Sequence, residues 1–76
     1  EGFITGFNDY KIFITIKDVF EGYEKIKNIN NTYYYNKEKN TISNYKNETI
    51  FFLGQKIKII IKEVNFINKH IIYNII

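Results

Sequence analysis

Two stretches of the chain alternate with a period of two. From Ile12 to Lys17, the residues Ile12, Ile14 and Ile16 fall on one side, and Phe13, Thr15 and Lys17 on the other. From Lys56 to Val64, Ile57, Ile59 and Ile61 fall on one side, and Lys56, Lys58 and Lys62 on the other. Successive side chains of a β-strand point to opposite faces, so both stretches read as strands with their Ile residues turned inward. Phe3 to Phe7 reads as a strand that bends or bulges at Gly6. Tyr23 to Lys27 reads as a third strand, and His70 to Ile76 as a closing one. Turn chemistry separates them at Asn8-Asp9, at Asp18 to Gly22 and at Leu53-Gly54-Gln55, which Thr49 to Phe52 leads into. Asn65 to Lys69 reads as a hairpin loop.

The segment from Asn28 to Asn47 breaks this rhythm. It is rich in Asn and Lys but carries Tyr33, Tyr34 and Tyr35 in a row. Three exposed rings on a mobile loop would be unusual, so the segment is expected to be an ordered excursion with a hairpin of its own. The three Tyr would form its small core, with one ring partly exposed. Five strands with a long excursion between the third and fourth outline an all-β, five-stranded OB-type barrel.

Composition agrees with strands rather than helices, because Ala is absent while Ile and aromatic residues abound. At 76 residues the chain is one domain, and a core this small has to be dense in large apolar side chains. It contains seventeen Ile and seven Phe. Ile, Asn, Lys, Tyr and Phe are all encoded by A/T-rich codons, so single Ile or Asn choices carry little local meaning. Without Cys there is neither a disulfide framework nor a thiolate metal site. No apolar run is long enough for a spanning helix, and no signal-peptide pattern is present, so a cytoplasmic domain with no membrane partner is expected. The start at Glu1 suggests a piece of a longer protein, a monomer or part of a larger chain. A net charge of +3 favours polyanionic partners but also serves solubility.

The order of motifs resembles the S1 RNA-binding domain. That family opens with a Gly-x-Ile/Val strand, matched by Gly2-Phe3-Ile4, and continues with an aromatic strand, matched by Tyr10-Lys11-Ile12-Phe13-Ile14. Its Glu-Gly segment has a counterpart in Glu21-Gly22-Tyr23-Glu24-Lys25-Ile26-Lys27, and its Leu-Gly-Gln turn in Leu53-Gly54-Gln55. The long strand supplies Ile57, Ile59, Ile61, Val64 and Asn65. Within the family, the C-terminal S1 domain of RNase R-like exoribonucleases carries a longer, Tyr-rich linker, similar to Asn31-Thr32-Tyr33-Tyr34-Tyr35-Asn36. Its basic final strand is similar to Lys69-His70-Ile71-Ile72-Tyr73. Three departures stand out: Lys11 replaces a usual Gly, Lys25 a frequent His, and Asn65 an Asp. The resemblance implies binding of single-stranded RNA on behalf of a 3′–5′ exoribonuclease. Two other S1 parents, a polynucleotide phosphorylase and a translation-associated protein, remain open, as does an OB domain used for protein–protein contact.

Sequence-tolerant binding of a single strand needs aromatic faces for bases and a positive groove for phosphates. Phe13 is the first aromatic candidate, since it lies on the face opposite Ile12 and Ile14, and Tyr10 at the neighbouring turn is the second. Lys25 and Lys27, on one face of the third strand, and Lys69 and His70, opening the last, are the candidate RNA contacts that the resemblance implies. Lys56, Lys58 and Lys62 read as a solvated stripe that also discourages aggregation. One His, no Cys and eight scattered acids give no nucleophile–base pair and no acid cluster for two-metal hydrolysis. No catalytic residue, metal ligand or cofactor is expected here. In the resembled enzymes, magnesium belongs to a separate catalytic domain.

Overall fold

The computed structural model of the protein describes residues 1–67 and 70–76. Strands dominate, in the order β1 (Gly2–Phe7), β2 (Lys11–Ile16), β3 (Phe20–Lys25), the single helical turn α1 (Ile26–Ile29), β4 (Tyr34–Asn36), β5 (Thr41–Ser43), β6 (Thr49–Phe52), β7 (Lys56–Ile57), β8 (Ile59–Asn65) and β9 (His70–Ile75). Six strands form a curled, half-barrel sheet in the order β7-β1-β2-β3-β9-β8, and β4-β5-β6 form a second, three-stranded sheet. Only Lys58 separates β7 from β8. One stretch of chain therefore lies beside β1 at one end of the sheet order and beside β9 at the other.

The alternation expected in β2 is present. Ile12 and Ile14 are fully buried, and join Ile4, Ile26, Ile42, Phe51, Ile57 and Tyr73 in one core. Ile59 packs against that core from a partly buried position. Ile61 departs from the expectation and is 56% exposed. The β8–β9 register is regular through Ile61, opposite Tyr73, and shifts only between Ile61 and Glu63. Beyond this point β8 has β9 as its strand neighbour on one side, and its side chains from Ile60 onward are exposed. The expected bulge near Gly6 is also observed, as a register shift between Ile4 and Gly6.

The third strand begins and ends earlier than the pattern implied. Lys17 and Asp18 adopt positive φ (53° and 58°), so the turn closes by Val19 and the strand starts at Phe20. It ends at Lys25, where the chain turns into α1. The excursion does contain a hairpin, β4 paired with β5, and β6 extends it. Tyr33 packs edge-on against Phe51, and the Tyr35 ring lies tilted by 36° against Phe7. The Tyr34 hydroxyl donates to Asn47 Oδ1 and that of Tyr35 to Asn40 Oδ1 (2.9 Å). Asn residues fix the turns through their side-chain oxygens. Asn8 Oδ1 accepts the amides of Tyr10 and Lys11, and Asn44 Oδ1 those of Lys46 and Glu48.

The seam between β3 and β9 is parallel, with one register pair, Tyr23 opposite Ile72. Side chains reinforce it. The buried Tyr73 hydroxyl donates to the Phe20 carbonyl (2.8 Å), and the Ile75 amide donates to Glu24 Oε1 (3.2 Å). Burial pushes the Tyr73 hydroxyl pKa up. Gly22 lies on the same seam, where a Cβ would collide with the Ile71 carbonyl oxygen and stand 2.7 Å from a Tyr73 ring carbon. The two chains approach this closely because that side chain is missing. Glu24 sits opposite Ile12 with its side chain inward, 3% exposed, and Oε2 has no hydrogen-bond partner among the described residues. Burial raises its carboxyl pKa, while the Ile75 amide and the Lys62 charge pull it back.

Candidate nucleic-acid interface

The outer face of β2 and β3 follows from the inner one. With Ile12 and Ile14 buried, Lys11 and Phe13 face out. Antiparallel register sets Lys11 opposite Lys25, and Phe13 opposite Tyr23. On its other flank, Phe13 has Gly6 as its partner on β1, and no side chain rises there to cover the ring. His70 begins β9 beside β3, and its ring meets Tyr23 edge-on at 6.0 Å between centroids. The Lys11 ammonium lies 4.2 Å from the centroid of the Tyr23 ring, a cation–π contact. Lys11, Phe13, Glu21, Gly22, Tyr23 and His70 together line a shallow groove of about 220 Å³.

This geometry brings together three of the sequence-derived candidates: Phe13, half-buried between Gly6 and Tyr23; Lys25, exposed and opposite Lys11; and His70. Tyr10 stands at the adjoining turn, 74% exposed, on a backbone held by the bond from the Ile26 amide to its carbonyl (2.9 Å). Lys27 does not share a strand face with Lys25. It lies on α1, and its ammonium donates to the carbonyls of Asn31 (2.8 Å) and Tyr33 (3.5 Å). There it serves the entry to the excursion, because a strand ending at Lys25 cannot carry the alternation two residues further. Lys69 lies outside the described residues.

Sequence reasoning passed over two residues of the groove. Lys11 drew notice only as a departure from glycine, and Tyr23 only as part of a motif. Their neighbours could have found them, since Tyr23 and Lys25 share parity and Lys11 shares it with Phe13. What ties the two pairs together is the β2–β3 register, which the sequence does not state.

Chemically, the face offers two adjacent rings, one free flank, and two cations at one end. No group of three or more His, Cys, Asp or Glu among the described residues is placed to hold a metal ion. Among the described residues, no helix is long and apolar enough to cross a membrane. No family model, curated protein or solved structure matches the chain.

Proposed function

We propose that the chain is an OB-type, S1-like module that binds single-stranded RNA on the outer face of β1, β2, β3 and β9. The observation that carries the reading is the pairing of Phe13 with Tyr23 across β2 and β3, with Lys11 and Lys25 in register beside them. Two bases stack on the rings, which accept any base because each has a π-face. Lys11 and Lys25 meet the phosphates, and His70 borders the bases. Tyr10 extends the stacking surface at the turn.

The strand order supports the barrel half of the reading. If β7 and β8 count as one strand broken at Lys58, the sheet has five strands in the cyclic order 1-2-3-5-4, with the third and fifth parallel. That is the connectivity of an OB barrel, with the excursion in its usual place between the third and fourth strands. The resemblance to RNase R-like proteins gives the proposal its setting. In a longer chain, the module would hold RNA for a catalytic domain that carries its own acids and magnesium.

The test is a titration of isotope-labelled protein with a single-stranded RNA octamer, followed by amide NMR shifts. Shifts should cluster at Lys11, Phe13, Tyr23, Lys25 and His70. Shifts confined to the Lys56–Lys58–Lys62 stripe, or none at millimolar RNA, would overturn the proposal.

A further inference from the structure

We propose that a second groove, between the β2–β3 turn and the β8–β9 hairpin, takes a nucleobase with an exocyclic amino group. The domain would then prefer strands containing adenine, cytosine or guanine to strands of uracil alone. The inference rests on the RNA-binding reading above and adds base selection to it.

This groove encloses about 470 Å³, within the ~300–1,000 Å³ typical of small-ligand sites. Its apolar lining includes Val19, Phe20, Val64 and Phe66, with Phe20 54% and Phe66 86% exposed. Its acidic lining is Asp18 and Glu21. Glu21 and His70 border both grooves, so the two adjoin. Among the described residues, charge runs along the combined surface, with Lys11 and Lys25 at one end and Asp18 at the other. Carboxylates repel phosphate, so the acidic end is unsuited to the backbone of a strand. They accept hydrogen bonds from base N–H groups, as Asp and Glu do from the cytosine amino group. Adenine offers the same kind of donor, and guanine offers two. Uracil lacks the amino group, and its single N3–H donor is flanked by two carbonyl oxygens, which a carboxylate opposes. Apolar walls with a few acceptors fit the flat body and polar edge of a base.

The experiment measures fluorescence anisotropy of labelled octamers of uridine, cytidine and adenosine with the intact 76-residue chain. Cytidine and adenosine octamers should bind at least threefold tighter than the uridine octamer. Phe20→Ala and Asp18→Asn should each shrink that preference below twofold and leave uridine-octamer affinity nearly unchanged. Phe66→Ala is the parallel variant should Phe20→Ala lower the melting temperature. Equal affinity for all three octamers overturns the inference and leaves RNA binding standing. A preference that survives Asp18→Asn and Phe66→Ala also overturns it. Binding of no octamer removes the RNA reading itself.

Discussion

Replacing Glu24 with glutamine should stabilise the protein at neutral pH, and the gain should vanish in acid. Glu24 is buried on the strand position opposite Ile12, and one of its carboxyl oxygens lacks a partner among the described residues. Desolvation raises its pKa above the 4.5 of a free glutamate. Between 4.5 and the raised folded value, the folded chain binds more protons than the unfolded one. Stability therefore falls as pH rises through that window, and the loss is complete above it. Glutamine keeps an oxygen for the Ile75 amide and removes the charge. It also leaves an amide NH₂ to be satisfied, which offsets part of the gain. A buried group without its hydrogen bond costs about 1–3 kcal/mol, more if charged, so a net gain of about 1 kcal/mol at pH 7 is expected. For a domain of this size that corresponds to roughly 4–8 °C in melting temperature. The assay is thermal melting of both proteins from pH 4 to pH 8. The difference between them should grow with pH and level off. A constant difference, or a variant less stable at pH 7 than at pH 4 relative to wild type, would refute a desolvated carboxylate at this position.

Gly22→Ala should destabilise the fold by about 1–3 kcal/mol or more, since the new methyl meets the Ile71 backbone rather than a movable side chain, and a denaturant melt checks it. Ile14→Ala should cost about 2–5 kcal/mol in the same assay, and Ile61→Ala far less, because one side chain is buried and the other exposed. Lys11→Ala should weaken RNA binding and flatten its dependence on salt, while Lys58→Ala changes little, as anisotropy at two ionic strengths will show. Labelled RNA incubated with the chain and magnesium should stay full length on a denaturing gel.

The sequence was most legible where strands are short, regular and half-buried. Ile12 and Ile14 could be placed inside because nothing interrupts the alternation of β2. Ile61 could not, because it keeps its register opposite Tyr73 but lies on β8 at the end of the sheet order, where side chains from Ile60 onward are exposed, and parity does not report an edge. Lys27 was misplaced because four residues, Ile26 to Ile29, fit one helical turn as well as a strand end. Glu24 was counted among scattered acids. Its parity, between outward Tyr23 and Lys25, already pointed it inward. The meeting of Phe13 with Tyr23, and of both with His70, depends on pairings between distant segments. A pattern along the chain reports which face a residue takes, and not which residue lies across from it.

The central claim, that Phe13 is a stacking platform for RNA, is tested most directly by Phe13→Ala. Anisotropy should be measured with a single-stranded octamer near physiological salt, with a thermal melt alongside. Stacking a base on an aromatic ring is worth about 1–3 kcal/mol by alanine substitution, so affinity should drop several-fold or more. Because the ring is only half-buried and lies on the face opposite Ile12 and Ile14, the melting temperature should fall much less than for Ile14→Ala. Unchanged affinity in a folded variant would contradict the account, and so would a variant that no longer folds.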